Sequence, residues 1–360
     1  LQPTPGRLRD RLRAFAEAVA ADAALITGRA NVRYLTGFSG SSGWALIRDG
    51  ELHLLTDERY RTQASEEAPT ATIHIGNAGL EVQLAGLLGV APGELVVDSA
   101  SLTLADAEEL REKVPGLQLR PLKGTVERLR ARKDPEEVRA IERALEITED
   151  ALLEAFSADV SGRSERELAG RLEFACRRLG ADRMSFDTIV AAGSNGAKPH
   201  ARPGGVVVDS GAPVVVDCGC VVSGYCSDIT RAVTVGDLPE RWREIHGAID
   251  AARRAAIAAA MPGVPTADVD AAARRVLAEF GLEERFVHSL GHGVGLEVHE
   301  LPRLSARSDE TLEVGMVVTV EPGVYLPGEG GIRLEDLIVI EPDGARRLNR
   351  LGTAPLRPTA

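Results

Sequence analysis

The sequence predicts a two-domain α/β protein, and three observations carry that expectation. The chain has 360 residues, more than one ordinary core needs and enough for two domains of about 100–200 residues each. Helical and strand-like hydrophobic patterns alternate through the first third, and long helices with a strand-rich end fill the remainder. Between them, Pro115-Gly116 through Lys123-Gly124 reads as a connector, followed at Asp134 by a strong helix start. The expected division is a small α/β domain over 1–122, a linker over 123–134 and a larger α+β domain over 135–360.

Taken in order, residues 7–21 place Leu8, Leu12, Phe15 and Val19 at helical spacing. Strand-like runs follow at 24–27, 44–48 and 52–56. Asp49-Gly50 between the last two is a hairpin signal, because both residues tolerate positive φ. Residues 94–98 read as a buried strand and 104–113 as a helix. No paired nucleophile and base stands in this region.

In the second part, Asp134 can cap a helix, Pro135 suits its first position and Glu137 can complete a capping box. That helix is expected to run to about 158. A second, over 165–179, stops at Gly180. Strands are expected at 187–192, 213–222 and 226–235, helices at 240–260 and 266–280, and strands at 317–322, 332–341 and 346–348. No internal repeat or low-complexity segment interrupts the pattern.

Composition narrows the function. The net charge of −12 excludes broad phosphate-backbone binding, which needs a basic face, and suits carboxylate-lined metal sites. Residues 1–24 lack the apolar core of a secretory signal, and no apolar run is long enough to span a membrane. Four cysteines are present, Cys176, Cys218, Cys220 and Cys226. A zinc cluster would need a fourth soft ligand at suitable spacing; instead Asp217 and Asp228 flank the last three, which read as small buried strand residues. A reducing, cytoplasmic setting is the expectation.

Two hairpins carry the chemistry. In the first, Val214-Val-Val-Asp217-Cys-Gly leads through Ser223-Gly224 to Tyr225-Cys-Ser-Asp228-Ile-Thr-Arg231. Asp217 and Asp228 are equidistant from the turn, which predicts that they face each other with Cβ atoms roughly 5 Å apart. Two acids so placed among Val, Cys and Ile require a proton or a cation between them. The second hairpin repeats the device, with Glu321 and Glu335 equidistant from Pro327-Gly328-Glu329-Gly330. Three of the seven histidines, His288, His292 and His299, lie in one glycine-rich stretch, where Gly291, Gly293 and Gly295 let backbone approach closely. Two acid pairs and a histidine make an oxygen-rich dinuclear site, suited to Mn²⁺, Co²⁺ or Zn²⁺, in which two metals can clamp both ends of a displacement.

These motifs resemble those of the pita-bread metallopeptidases, the group of methionine aminopeptidase, aminopeptidase P and prolidase. Asp-Cys-Gly, Ser-Asp-Ile-Thr-Arg, Gly-His-Gly-Val-Gly-Leu, Thr-Val-Glu-Pro-Gly and Arg-Leu-Glu-Asp all agree from about Val126 onward. Asn31-Val-Arg-Tyr34-Leu-Thr-Gly37-Phe38 resembles the creatinase/prolidase N-terminal domain, which methionine aminopeptidases lack. The resemblance implies a C-terminal pita-bread domain, a curved antiparallel sheet covered by helices, with Asp217, Asp228, His292, Glu321 and Glu335 as ligands to two divalent metals, Mn²⁺ first among them. It implies a metal-dependent hydrolase of the Xaa-Pro bond, most simply a prolidase acting on dipeptides, with aminopeptidase P acting on longer peptides as the alternative.

The resemblance also assigns roles. Glu321 would shuttle the proton, His299 would donate to the developing oxyanion, and His200 would hold substrate or the tetrahedral species. His288, one helical-turn spacing before His292, would line the proline pocket. Arg303 and Arg333 resemble arginines of the substrate site, an Arg being suited to a bidentate grip on a dipeptide's free carboxylate. Phe186 would line the pocket for Xaa, and Arg33 of the first domain could close the site against longer chains. The expected partner is a short proline-containing peptide, with no nucleic acid and no membrane, and the expected assembly is a homodimer. Two rivals share the fold: a metal-free creatinase-type hydrolase and a non-catalytic peptide-binding module, both of which lack this ligand set.

Overall fold

The computed structural model describes residues 3–89, 93–157 and 160–357. The chain divides into two compact units, Leu1–Arg130 and Ala131–Ala360. The first runs α1 (Pro5–Val19), β1 (Ala23–Ile26), α2 (Arg29–Thr36), β2 (Trp44–Arg48), β3 (Glu51–Thr56) and α3 (Arg61–Glu67). It continues through β4 (Thr72–Ile75), α4 (Leu80–Leu88), β5 (Glu94–Asp98), α5 (Leu104–Lys113), β6 (Gln118–Leu122) and α6 (Thr125–Ala131). One mixed sheet, ordered β4-β3-β2-β1-β5-β6, holds the strands. Its core includes Leu25, Leu46, Leu55, Leu84, Leu95 and Leu110. Asp49 and Gly50 turn β2 into β3 with φ of 52° and 79°. On α1 the buried stripe uses Arg11 beside Leu8, Phe15 and Val19, while Leu12 is only half-buried; the Arg11 guanidinium lies over the Tyr34 ring, 4.1 Å from its centre.

The segment 123–134, expected as a linker, is mostly helical. Gly124 turns the chain with a φ of 64°, and α6 then buries Val126 and Arg130. Arg130 donates to Asn31 (2.7 Å), which donates to Glu127 (2.7 Å). Those long-range partners make α6 part of a packed body rather than a connector.

The second unit opens with α7 (Pro135–Ala155), α8 (Glu165–Arg178), β7 (Arg183–Met184), β8 (Ile189–Ala192), β9 (Pro213–Cys218), β10 (Cys220–Val222), β11 (Tyr225–Cys226) and β12 (Ile229–Thr234). After α9 (Glu240–Ala259) and α10 (Thr266–Glu279) come β13 (Gly291–Gly293), β14 (Glu300–Leu304), β15 (Val317–Val320), β16 (Gly323–Leu326), β17 (Gly330–Arg333), β18 (Asp336–Glu341) and β19 (Gly344–Arg347). Among the described residues, all strand pairs of this unit are antiparallel. The capping box at Asp134 forms as expected, the carboxylate accepting from Glu136 and Glu137 while Glu137 accepts from Asp134. The helix stops at Ala155; its expected end at 158 lies outside the described residues. Helices α9 and α10 bury Ile245, Ile249, Val269 and Leu277 in one core with Val318, Val320, Ile332 and Ile338, each aliphatic side chain contributing about 1.5–3 kcal/mol. Among the described residues no helix is long and apolar enough to cross a membrane.

Three expected strands are broken. The run 213–222 divides at Gly219, where a Cβ would strike the Ser227 carbonyl. The runs 226–235 and 332–341 divide at Ser227-Asp228 and Leu334-Glu335. Each break lets a hairpin leave one sheet for another. Three of the four expected acidic ligands, Asp228, Glu321 and Glu335, stand in these gaps or at a strand end.

Candidate metal centre

Both hairpins deliver their acids to one place, by different registers. In the first, Val222 faces Tyr225 across Ser223-Gly224, and Asp217 faces Thr230. The turn centre is one residue later than the midpoint of the two aspartates. Asp217 and Asp228 are therefore diagonal neighbours on one face, not directly opposed as the spacing suggested. In the second hairpin Val320 faces Asp336 and Gly323 faces Arg333. One continuous register joins these pairs and sets Glu321 opposite Glu335.

The donor atoms of Asp228, His292 and Glu335 lie within 4.8 Å of one another. His292 Nε2 is 3.3 Å from Glu321 Oε1 and 3.7 Å from Asp228 Oδ2. Arg333 donates to Asp217 at 2.5 Å. Backbone bonds at the strand breaks place the glutamates: Glu335 N donates to the Thr230 carbonyl (3.1 Å) and Glu321 N to the Leu290 carbonyl (2.9 Å).

Four carboxylates stand against one buried guanidinium. Burial pushes Asp228 and Glu335 well above the usual carboxylate range, and the neighbouring carboxylates add to it. Burial also raises Asp217, against the opposing pull of Arg333. Glu321 goes the other way: burial would raise it, but the hydrogen bond and charge of His292, with His288 and Arg333, bring it down to about 2. Burial would lower His292, yet Glu321 holds it above the usual imidazole range. Asp217 Oδ1 and Glu335 Oε1 are buried with no hydrogen-bond partner, an arrangement that costs about 1–3 kcal/mol per unpaired group. Orphaned oxygens, excess negative charge and one imidazole fit divalent cations.

Around this cluster the other expected residues fall into distinct settings. The His299 ring, partly open to solvent, sits 4.4 Å from the His292 ring; its partial burial and the charge of His292 lower its pKa. His288 is half-buried and bonds through Nε2 to the Tyr325 hydroxyl (2.9 Å). Its spacing from His292 is not helical, for the chain runs straight into β13 there. His200 is exposed at the end of a loop that Glu165 secures by accepting from Ala192 N, Asn195 and Gly204 N; its charge helps to lower His288 and His299. Arg303 is exposed and pairs across the strands with His292. Phe186 is half-buried over Gly219. Arg33 lies on α2 of the first unit.

Arg333 is enclosed by protein groups. It is 4 % exposed and its guanidinium is bound by protein groups: Nε by Thr230, one terminal nitrogen by Tyr325 and the Pro199 carbonyl, the other by Asp217. So engaged, every nitrogen of its guanidinium has a protein partner, and one of them is Asp217, an expected ligand. Three residues not singled out by the spacing complete the surroundings. Thr230 donates to Glu335 (2.8 Å), Thr319 donates to Glu321 (3.1 Å) and accepts from His292 N, and Tyr325 joins His288 to Arg333. Each threonine stands two residues from an acid, so period-two alternation could have marked both.

Residues 139–342 match the family described as "Metallopeptidase family M24", and residues 9–132 match "Creatinase/Prolidase N-terminal domain". The chain is 34% identical over 342 residues to an Xaa-Pro dipeptidase of Pyrococcus furiosus, covering 95% of this chain and 97% of that protein. Among solved structures it is similar to an Xaa-Pro dipeptidase from Bacillus anthracis, with a TM-score of 0.92 and 35% identity over 98% of this chain and 100% of that one. It is also similar to an X-Pro aminopeptidase from Thermotoga maritima, with a TM-score of 0.88 and 34% identity over 95% and 99%.

Proposed function

The chain belongs to metallopeptidase family M24, and from that premise we propose that it is a prolidase, hydrolysing the Xaa-Pro bond of dipeptides. The observation that carries the choice of dipeptides is Arg303. It faces His292 across β13 and β14, so both side chains share one face of the sheet. Among the described residues its guanidinium forms no ion pair, which leaves it for the free carboxylate that only a dipeptide carries on its proline.

Asp217, Asp228, His292, Glu321 and Glu335 would hold two divalent ions, whose chemistry is to acidify a water and polarise the scissile carbonyl. Glu321 takes the proton of the attacking water and passes it to the proline nitrogen. His299 donates to the carbonyl oxygen as charge develops there, while His200 and His288 hold the substrate. Phe186 borders the pocket for Xaa. Arg333, locked between Asp217 and Tyr325, keeps its ligand oriented.

Mn²⁺ is the proposed native metal because the donors are mostly carboxylate, and elemental analysis of the purified protein distinguishes it from Co²⁺ or Zn²⁺. The proposed setting is a cytoplasmic homodimer; the cysteines are all free and buried, which suits a reducing compartment, and sedimentation measures the assembly. The deciding experiment compares kcat/KM on an Xaa-Pro dipeptide and an Xaa-Pro-Yaa tripeptide. Wild type should prefer the dipeptide, and Arg303→Ala should raise the dipeptide KM about tenfold or more while leaving the tripeptide nearly unchanged. Better cleavage of the tripeptide by wild type would instead establish an aminopeptidase P.

A further inference from the structure

The loop that carries His299 is built around a buried charge. β13 and β14 pair His292 with Arg303 and Gly293 with Glu300, with a register shift between the two pairs. Residues 294–299 must therefore fold back on themselves within a few ångströms of the metal ligands. Glu300 turns inward at the base of this loop. Its Oε1 accepts from Glu297 N (3.0 Å) and its Oε2 from Lys133 Nζ (3.1 Å). The two side chains are 3% and 1% exposed.

Neighbouring backbone is shaped to admit this pair. A Cβ on Gly295 would overlap the Glu300 carboxylate, so the glycine leaves the space that the carboxylate fills. Gly295 itself accepts from Cys226 N (2.8 Å) and donates to the Glu297 carbonyl (3.0 Å). Lys133 is equally fixed. Its N–H donates to the Gly315 carbonyl (2.8 Å), and Arg132 bridges Met316. A Cβ on Gly315 would meet the Lys133 carbonyl. The lysine thus arrives from the short segment between α6 and α7 and is anchored beside β15 before its ammonium reaches Glu300.

We infer that the Lys133–Glu300 ion pair is a positioning element for His299, holding its loop so that the imidazole stands beside His292. A desolvated ion pair with a backbone amide on the same carboxylate has one good geometry and resists shear, unlike apolar contacts, which slide. This inference rests on the reading of His299 as a donor in Xaa-Pro hydrolysis, but the loop geometry it asserts is testable apart from activity.

The test replaces the pair by apolar residues of similar volume, Lys133→Met with Glu300→Leu, which avoids leaving one charge buried alone. In metal-free protein, amide exchange over 294–300 should rise at least tenfold while α9 and α10 stay protected as in wild type. In the Mn²⁺-loaded protein, kcat on an Xaa-Pro dipeptide should fall at least tenfold with KM changed less than threefold. Combined with His299→Ala, the double replacement should cost less than a further twofold, because both act through one imidazole. Gly295→Ala, which displaces the carboxylate without touching either charge, should reproduce the exchange and the kcat loss. Unchanged exchange over 294–300, wild-type kcat, or losses that multiply fully with His299→Ala would each overturn the inference. A wild type without dipeptidase activity would overturn the prolidase reading instead, and the exchange measurement would still decide the clamp.

Discussion

Glu335 is the most enclosed of the four carboxylates, 1% exposed, and its setting makes it a liability when no cation is bound. Its carboxyl titrates well above the ordinary range in the folded protein because of burial. The stability tied to its proton is complete below about pH 4, where the unfolded glutamate is protonated too, and is lost as pH rises toward the raised value. Chelated Glu335→Gln should therefore be more stable than chelated wild type at pH 7, by about 1–3 kcal/mol, with the gap closing near pH 4. Glu321 has the opposite sign. Its folded pKa, about 2, is held down mainly by His292 against burial, so its contribution is present above the ordinary glutamate range and lost as pH falls through 2. Chelated Glu321→Gln should lose about 1–3 kcal/mol at pH 7. Denaturant titration in EDTA measures both, and equal signs for the two variants would refute this electrostatic account. The acidic character of these positions is plain in the sequence; which of them is strained is not, because it depends on His292 and Arg333, distant in the chain.

Elements differ in how locally they are determined. The start of α7 is written in four consecutive residues, and Asp134→Ala should cost about 1 kcal/mol with no change in metal affinity. Gly219 is different. It divides β9 from β10 because the Ser227 carbonyl and the Phe186 ring, 3.1 Å from the position of a Cβ, leave no room. Gly219→Ala should cost about 1–3 kcal/mol and weaken Mn²⁺ binding at least tenfold, since the shift moves Asp217 and Asp228 apart; calorimetric titration of Mn²⁺ separates the two variants. Hairpin registers show the same contrast. Matching distances from the turn placed Glu321 opposite Glu335 correctly but set Asp217 two residues out of register with Asp228. The first hairpin closes on a two-residue turn, in which Ser223 and Gly224 both take positive φ, 53° and 89°. That centre does not coincide with the midpoint of the acids.

For the whole molecule, cation binding and folding are linked. Mn²⁺ at about a hundred times its Kd should stabilise the protein by roughly 2.7 kcal/mol against the chelated form. Asp228, Glu335 and His292 all hold protons more tightly than usual in the metal-free protein, and a cation must displace them. The Mn²⁺-induced rise in Tm should accordingly be larger at pH 8 than at pH 6, and calorimetry in buffers of different ionisation enthalpy should register proton release. A rise in Tm that is the same at both pH values would contradict that linkage.

By itself the sequence determined the helices with their caps, the glycine-aided turns, the acid pairs and the glycine-rich histidine stretch, because each depends on residues close together in the chain. The tertiary structure alone decided where strands break, that Thr125–Ala131 packs as a helix, and that the Arg333 guanidinium is bound by Thr230, Tyr325 and Asp217. It also revealed Lys133 beneath the His299 loop. Those outcomes depend on which backbone carbonyl or buried charge arrives from a remote segment, and periodicity carries no information about that.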